Sequence, residues 1–523
     1  MMSDLSADMS WAAIVGDCGN SDSSSGHSII AVMTNLPDEI YSVATVREID
    51  RAAIEDAGIP GYTLMTRAGT AAVIEARNRY PEAQRWQVLC GAGNNAGDGY
   101  VVARLLANEG IVVSVITLVD PESLKGDAAT AYGDFAAEGG VAVPWSGELD
   151  ESADLIVDAM LGSGLTRDVA GQFAAAVAAI NDHPGVILSL DIPTGLHGDS
   201  GAALGCAVQA DLTVTFVACK TGLFLDEGPD LCGEVVLADL DIARECWAHS
   251  VAEFRRMNAH RTRALLPQRR RSAHKGDFGH VLVVGGGVGM PGAVRLCAEA
   301  ALRSGAGRVS VATDPVHASI IVASCPELMS HAIEKAGDLE PLLEKASVIA
   351  FGPGLGRSAW AAKLVAMLTD DKHPSVWDAD ALNWLAESPA KVANRVITPH
   401  PGEAGTLLKS TTADVQGDRR VALAKLHERY GGVVILKGAG SLVTSAAGVP
   451  WLCTSGNPGM AAPGMGDVLT GIVAALIAQG LSVEAAAVAG VEVHARAGDR
   501  AAASGERGLL ASDLLAEIRG VIN

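Results

Sequence analysis

Two aspartates stand at positions where the chain can hold a carboxylate still. Asp191 follows an apolar stretch, 186–190, and precedes a turn with proline and glycine, 192–195. Asp467 follows the glycine-rich turn 464–466 and opens an apolar run with helical spacing. A carboxylate fixed in this way can take a proton from a substrate, so both residues are candidate general bases. The alternatives are structural: Asp191 caps its turn, and Asp467 is an ordinary helix N-cap.

A glycine loop, 91–99, connects an apolar strand to a helix predicted over 100–108. The order strand, glycine loop, helix holds phosphate groups in doubly wound folds. Amide, carboxylate and hydroxyl oxygens suit a monovalent or hard divalent cation better than zinc, and the first half offers such oxygens on Asn94, Asn95, Asp158 and Thr194. Lys220 can pair with phosphate or with Asp191, or it can lie on the surface.

Three glycine-rich turns follow strands of the second half, at 352–356, 437–441 and 464–466. Backbone N–H groups in such turns bind phosphate, and three of them together predict a nucleotide site. His400 and Glu403 follow a further strand. Glu403 can act on Mg²⁺ through water. His400 is either a binding residue or a structural loop histidine.

Short apolar strands alternate with helical stretches in both halves, which predicts an α/β fold with mostly parallel sheets. In such sheets ligands bind at the carboxyl ends of the strands, where the candidate residues fall. A chain of 523 residues is too long for one core, so two domains are expected. We predict a flexible leader over 1–35, a first domain over 36–250, a linker over 251–264 and a second domain over 265–523.

The composition excludes several classes of function. A net charge of −22 argues against non-specific binding of nucleic acid or anionic membrane, and no apolar run reaches membrane-spanning length. Nine scattered cysteines without Cys-x-x-Cys spacing predict reduced thiols in a cytoplasmic protein. The first twenty residues hold no basic residue, which is wrong for a signal peptide. Ala-rich apolar helices predict a homo-oligomer.

The first half resembles the NAD(P)HX epimerase family, the YjeF N-terminal domain, in its motifs at 91–99, 157–165 and 189–196. The resemblance implies a Rossmann-like three-layer α/β/α domain. It also implies that the hydrated nucleotide is contacted by Asn94, Asn95, Ala96, Gly97, Asp98, Gly162, Ser163, Gly164, Leu165, Thr166, Arg167, Asp168 and the catalytic Asp191. It implies that K⁺ is held by Asn95, Asp158 and Thr194.

The second half resembles the ADP/ATP-dependent NAD(P)HX dehydratases, which have a ribokinase-like α/β fold. The motifs lie at 275–279, 326–329, 352–356, 378–382, 398–403, 437–440 and 464–467. The resemblance implies that the hydrate is contacted by Ala293, Gly354, His400 and the catalytic Asp467. It implies that the adenine nucleotide is held by Lys437, Gly438, Ala439, Gly440, Ser441 and Gly466.

The fused arrangement resembles the bacterial bifunctional NAD(P)H-hydrate repair enzymes. It implies that NADHX and NADPHX are the substrates: the first domain interconverts their R and S forms, and the second removes water from the S form with ADP or ATP and Mg²⁺, ADP being the expected donor. Two alternatives stay open at this point. One is a small-molecule kinase of the ribokinase-like superfamily, and the other is a non-catalytic nucleotide-binding scaffold.

Overall fold

The computed structural model describes residues 36–266 and 268–523. Two open β-sheets, each with helices on both faces, make up this part of the chain, as the α/β prediction expects. The predicted leader, 1–35, lies outside the described residues. No helix among the described residues combines the length and the apolar character needed to cross a membrane.

The smaller sheet has seven strands, all parallel, in the order β4-β3-β2-β5-β6-β7-β8. Its strands are β2 (Arg85–Cys90), β3 (Val112–Thr117), β4 (Ala142–Pro144), β5 (Leu155–Ala159), β6 (Val186–Leu190), β7 (Leu212–Phe216) and β8 (Glu234–Ala238). Its helices are α1 (Val43–Glu55), α2 (Gly61–Arg79), α3 (Asn94–Asn108), α4 (Gly126–Ala137), α5 (Gln172–Asn181) and α6 (Gly228–Leu231). The central strands β2, β5, β6 and β7 are buried along nearly their whole length, because helices cover both faces of the sheet.

The helix predicted over 100–108 is confirmed, but α3 begins earlier, at Asn94, inside the predicted glycine loop. Gly97 and Gly99 are helix-packing residues and not turn residues. A Cβ atom on Gly97 would lie 2.6 Å from Met65 Sδ, and one on Gly99 would lie 2.6 Å from the Cβ of Ala159. These glycines let α3 lie close to α2 and β5.

The larger sheet has eleven strands in the order β1-β9-β18-β17-β16-β15-β14-β13-β10-β11-β12. The seven strands β10 to β16 are all parallel to their neighbours among them. Antiparallel pairs join β1 to β9, β16 to β17 and β17 to β18. The strands are β1 (Glu39–Ile40), β9 (Phe254–Arg256), β10 (His280–Val284), β11 (Arg308–Thr313), β12 (Met329–Ala332), β13 (Val348–Phe351), β14 (Ser375–Trp377), β15 (Arg395–Ile397), β16 (Val433–Leu436), β17 (Leu442–Val443) and β18 (Trp451–Leu452).

The helices of this half are α7 (Ala259–Leu265), α8 (Pro291–Arg303), α9 (Ala318–Ser324), α10 (Glu340–Leu343), α11 (Ala359–Leu368), α12 (Asp380–Glu387), α13 (Pro401–Leu408), α14 (Thr412–Gly417), α15 (Arg419–Tyr430), α16 (Met465–Ala478), α17 (Val483–Ala501) and α18 (Ala511–Ile522). Alternate residues of a strand face opposite sides of the sheet. Val281 and Val283 pack in the core with α8, α16, α17 and α18. Leu282 and Val284 pack in the core with α11, α12, α13 and α15.

The junction between the two halves differs from the prediction. The predicted linker, 251–264, contains β9 and most of α7, and β9 pairs with β18 in parallel. Strand β1, predicted in the first domain, pairs with β9 at the edge of the larger sheet. Sequence periodicity missed both strands because they have only two and three residues. The two halves also share a core, since Phe224 packs in one cluster with Leu452.

Candidate active sites

The first candidate site is a cleft of about 730 Å³ at the carboxyl ends of β2, β5 and β6. Its walls come from helix α1, the start of α3, the loop after β5, the turn after β6 and the segment after β7. Of the predicted binding residues, the cleft is lined by Asn94, Asn95, Asp98, Gly162, Ser163, Gly164, Leu165, Thr166, Arg167 and Asp191.

Asp191 is bound directly to a buried lysine. It follows β6 with a φ of 66°, and its Oδ1 lies 2.5 Å from Lys220 Nζ. Lys220 is 1% exposed, and its ammonium also donates to Thr215 Oγ1 at 2.9 Å and to the carbonyl oxygen of Phe216 at 2.8 Å. Burial alone would raise the pKa of Asp191, but the Lys220 ammonium and the N–H of Ser163 outweigh it and hold that pKa below its ordinary value. Asp191 is therefore an ionised carboxylate that can accept a proton.

Asp158 and Thr194 form one buried network beside the cleft. The Asp158 carboxylate accepts from Ser189 Oγ at 2.9 Å, from Met160 N at 3.2 Å, and from the N and Oγ1 of Thr194 at 2.8 and 2.7 Å. These four donors occupy the usual acceptor capacity of a carboxylate. Thr194 Oγ1 also accepts from Leu161 N at 2.9 Å.

Asn95 is buried, and among the described residues neither its amide oxygen nor its amide nitrogen has a hydrogen-bond partner. Its Cβ atom lies 3.4 Å from the position that a Cβ on Gly162 would occupy, in the loop that follows Leu161. The amide oxygen of Asn95 is therefore free to bind a cation. The Asp158 oxygens already accept four hydrogen bonds and have no further acceptor capacity. The described residues contain no group of three or more His, Cys, Asp or Glu side chains placed to hold a metal.

The second candidate site lies at the carboxyl ends of the larger sheet and contains a buried ion pair. Asp378 follows β14, and its Oδ1 accepts from Lys437 Nζ at 2.8 Å and from Thr398 Oγ1 at 2.7 Å. Its Oδ2 accepts from Thr470 Oγ1 at 3.0 Å. Burial would raise the pKa of Asp378, but Lys437 and the two hydroxyls hold it below its ordinary value. Asp378 is thus a fixed, ionised partner of Lys437.

Asp467 stands beside this pair without joining it. The N-cap of α16 is Gly464, with a φ of 89°, and Asp467 is the third residue of the helix, so Asp467 is not an N-cap. Its carboxyl makes no hydrogen bond or ion pair with any other residue that the structure describes. Burial, followed by the negative charge of Asp378, raises the pKa of Asp467 to about 7. A carboxyl with this pKa can hold or release a proton near neutral pH.

Two glycines show how closely the backbone approaches this site. A Cβ on Gly466 would lie 3.1 Å from Lys437 Nζ and 3.3 Å from Asp378 Oδ2. A Cβ on Gly354, where φ is 56°, would lie 3.2 Å from the Cβ of Ala293, so the structure brings these two predicted binding residues together.

His400 and Glu403 lie at the start of α13, where each caps the other's backbone. His400 Nδ1 accepts from Gly402 N at 3.0 Å, and Glu403 Oε2 accepts from His400 N at 2.9 Å. The His400 side chain is 57% exposed, and Glu403 lies 3.7 Å from Lys437 Nζ. Glu403 therefore faces the ion pair, while His400 has both a structural contact and an open face.

Arg419 donates hydrogen bonds to the backbone of the loop 437–441. This buried guanidinium donates to the carbonyl oxygens of Ala439 and Lys437, the latter at 3.3 Å. Arg419, at the start of α15, therefore connects the predicted nucleotide loop to that helix.

Comparisons with known proteins match both halves. Residues 61–222 match the family model described as YjeF-related protein N-terminus, and residues 281–519 match the model described as NAD(P)H-hydrate dehydratase. A bifunctional NAD(P)H-hydrate repair enzyme from Coxiella burnetii is 46% identical over 485 residues, which are 92% of this chain and 99% of that protein. The chain belongs to the family of bifunctional NAD(P)H-hydrate repair enzymes.

Two further proteins are similar. A bifunctional NAD(P)H-hydrate repair enzyme from Escherichia coli is 41% identical, over 94% of this chain and 95% of its own length. A solved structure of the ADP/ATP-dependent NAD(P)H-hydrate dehydratase from Bacillus subtilis, co-crystallized with ATP/Mg²⁺, is 26% identical with a TM-score of 0.45, over 50% of this chain and 96% of that chain. As a member of the repair family, the chain is an enzyme with an epimerase half and a dehydratase half. The kinase alternative leaves the first half unexplained, and the scaffold alternative does not fit a family of enzymes.

Three predicted residues of the repair enzyme's first site do not line the cleft. Ala96 and Gly97 face the core side of α3, where Gly97 approaches Met65. Asp168 is exposed, and its Cβ lies near Gly205. Contact of these three residues with the hydrate stays a prediction.

Several cleft residues were missed by the sequence interpretation. Arg47 and Asp50 of α1 and Asp127 of α4 line the first cleft. In the second site, Asp378 was read only as part of a motif, and Thr470 and Arg419 were not noticed. The spacing of apolar residues in α1 predicts which face of the helix is buried. It does not predict that Arg47 and Asp50, beside that face, line a cleft.

Proposed function

We propose that the N-terminal domain, 36–250, epimerises NADHX and NADPHX through Asp191. The C-terminal domain, 265–523, dehydrates the S form with ADP or ATP through Asp467. In this division the segment 251–264 contributes β9 to the sheet of the dehydratase domain. The observation that carries the proposal is the contrast between Asp191, which is paired with Lys220, and Asp467, which is buried without a partner.

Dehydration needs the C6 hydroxyl of the hydrate to become a good leaving group. Asp467 takes the hydroxyl proton, and the oxygen attacks the terminal phosphorus of the nucleotide. The C6–O bond then breaks with its electrons leaving on phosphate, and loss of the C5 proton restores the double bond of the reduced nicotinamide. Ala293, Gly354 and His400 contact the hydrate, while the loop 437–441 and Gly466 hold the nucleotide.

Lys437 supports the placement of the nucleotide, because its ammonium lies beside Gly466 and faces Asp378 and Glu403. Glu403 is the carboxylate through which water would hold Mg²⁺, which supplies positive charge for the phosphate groups. ADP is the expected donor. The glycine loop serves ADP and ATP alike, so the choice between them falls to the assay.

A K⁺ ion in the epimerase domain would be held by Asn95, Asp158 and Thr194. The unpaired amide oxygen of Asn95 supports this site. Because Asp158 already accepts four hydrogen bonds, we assign it the task of fixing Thr194 and neutralising the ion's charge.

The decisive experiment is a hydrate-recovery assay with the full chain. Purified R and S hydrates of NADH and of NADPH are incubated separately with ADP or ATP, and the absorbance of reduced nicotinamide is followed. The S form should recover at once, and the R form should recover after epimerisation. Failure of the S form to recover with either nucleotide would contradict the proposal.

We further propose that the enzyme works as a cytoplasmic homo-oligomer. The eight described cysteines form no disulfide, and Val288, Ile320 and Leu510 are 76%, 54% and 59% exposed. Ile320 and Leu510 line one groove together with Leu296 and Pro463, and apolar side chains grouped in this way favour contact with a second copy of the chain. Light scattering on the purified protein would give the mass, and a mass of one chain would contradict self-association.

A further inference from the structure

Asp50 lines the epimerase cleft and has no role in the activity described above. It lies on α1, whose residues Val46, Ile49 and Ala53 point into the core. Asp50 sits beside this buried stripe and is half-buried at the cleft wall. Its carboxyl makes no hydrogen bond or ion pair with another described residue. A half-buried carboxyl in a cleft, without a hydrogen bond or ion pair to the described residues, is a candidate for chemistry.

The charges that face Asp50 come from every wall of the cleft. Asp191 enters after β6, Asp98 from α3, Asp127 from α4 and Arg167 from the loop after β5. Lys220 enters after β7, and Arg47 lies on the same helix as Asp50. The Lys220 ammonium is bonded to Asp191, so it is not shared with Asp50. Burial raises the pKa of Asp50, and the charge of Asp191 raises it further, against a smaller opposing effect of Lys220. The surroundings therefore favour the protonated form of Asp50, whereas Lys220 favours the ionised form of Asp191.

We propose that Asp50 is the proton donor of the epimerisation and that it acts with Asp191 across the cleft. This inference rests on the epimerase activity proposed above. Both carboxyl groups line one cleft, and surroundings that push their pKa values in opposite directions suit an acid/base pair. Burial also raises the pKa of Asp98, but that residue is only 8% exposed, so its proton is less accessible to the hydrate and to water than that of Asp50.

The step balances without an oxidant or reductant. Asp50 protonates the C6 hydroxyl, the C6–O bond breaks with its electron pair on oxygen, and water leaves. The lone pair of the ring nitrogen forms the C6=N iminium bond. Water then adds to the opposite face of C6, the C=N electrons return to nitrogen, and the proton of the added water passes to Asp191. Exchange with solvent returns the proton to Asp50, and the reverse reaction uses the same groups in exchanged roles.

The test compares four forms of the full chain: wild type, Asp50→Asn, Asp50→Glu and the matched control Glu48→Gln. Glu48 lies on the same helix and is 68% exposed in an ion pair with Arg51. R-NADHX is converted to the S form without nucleotide, and chromatography of the two forms gives kcat and KM. Recovery of S-NADHX with nucleotide, measured on the same samples, reports whether each variant is folded and active in the dehydratase domain.

Asp50→Asn should lower kcat for epimerisation by about 10²–10⁴-fold with KM near that of wild type. Asp50→Glu should restore part of the rate, and Glu48→Gln should match wild type. The wild-type kcat should fall at high pH as Asp50 loses its proton, and Asp50→Asn should lose this dependence. In water labelled with heavy oxygen, the epimerised product should carry the label at C6.

Two failures are distinguishable. If wild type does not interconvert the R and S forms, the proposed epimerase activity fails. If wild type interconverts them and Asp50→Asn keeps kcat within about threefold, or changes KM alone, Asp50 is not the proton donor. Retention of the original oxygen at C6 would overturn the iminium step.

Discussion

The two sites of this enzyme place a lysine and aspartates at the carboxyl ends of parallel strands, but they use the lysine differently. In the epimerase site Lys220 contacts Asp191 itself. In the dehydratase site Lys437 contacts Asp378, and Asp467 stands beside the pair. The position of the lysine ammonium thus decides the difference: a carboxyl in contact with it is ionised, whereas Asp467, which lacks this contact, holds its proton until near-neutral pH.

The largest effect should follow from Asp467→Asn. An amide cannot take the hydroxyl proton, so recovery of the S hydrate should fall by about 10²–10⁴-fold while R-to-S conversion stays at the wild-type rate. Separate assays of the two reactions check this. If the variant retained dehydration, Asp467 would have no chemical role and the proposed difference between the two sites would be wrong.

Asp191→Ala should give the reverse result in the first domain. Loss of the base should lower R-to-S conversion by about 10²–10⁴-fold, while recovery of the S hydrate continues. Chromatographic assay of the R form and nucleotide-dependent recovery of the S form, on one preparation, make the measurement. If both reactions fell together, the two sites would not be independent.

The pH dependence should separate the sites next. With a pKa of about 7, Asp467 is increasingly protonated below neutrality, so kcat/KM for dehydration should fall about tenfold for each pH unit below that value. The pKa of Asp191 lies below its ordinary value, so the base of epimerisation stays ionised over the same range.

The free energy of unfolding should fall with rising pH because of the raised pKa of Asp467. A carboxyl whose folded pKa is raised contributes stability that is complete below its unfolded pKa and is lost as pH rises through the folded value. For Asp467 this loss ends near pH 7. Urea unfolding at several pH values should show the loss in wild type and a smaller one in Asp467→Asn.

Lys220→Met should cost stability, because it leaves the Asp191 carboxylate beside a cavity wall without its buried partner. Removal of one member of a buried ion pair costs about 3–5 kcal/mol. Urea unfolding measures the loss. The double variant Asp191→Asn with Lys220→Met removes both charges and should be more stable than Lys220→Met alone; equal stability would show that lost packing of the lysine stem is the cause.

The smallest effect is expected from Gly466→Ala. The new methyl group would lie 3.1 Å from Lys437 Nζ, so the lysine must shift by a few tenths of an ångström. Because a misplacement of about 1 Å costs about 10²-fold, we expect about a tenfold loss in kcat/KM for the nucleotide. Gly133→Ala serves as the control for glycine replacement, because Gly133 lies inside helix α4 and no atom is within 4 Å of the added Cβ.

Much of this organisation was predictable from the sequence. Apolar strands followed by glycine or acidic residues predicted both sheets, the family resemblance and the positions of Asp191 and Asp467. Asp50 and Asp378 show what could not be predicted. Asp50 precedes Asp191 by more than a hundred residues, and only the fold brings them to one cleft. The role of Asp378 depends on Lys437, and helical or strand periodicity contains no information on such a pairing.

The glycines of the first loop show a different limit. Gly97 and Gly99 have the composition of a turn, but each lies inside α3 where a neighbouring element comes close. Amino-acid composition alone does not distinguish a glycine required by a turn from a glycine required by close helix packing. The distinction depends on which element packs against the glycine. The partners here, Met65 and Ala159, lie in other elements.

The edge pairing of β1 with β9 has a consequence for synthesis of the chain. Residues 39–40 leave the ribosome early, but their strand partner begins at residue 254, and that partner's other neighbour begins at residue 451. The first sheet can be completed within the first half of translation, whereas this edge must wait until most of the second half has been made. A gene cut between the two domains would therefore leave β1 without a strand partner in the first product, whereas β9 of the second product would keep β18 and lose only its outer neighbour.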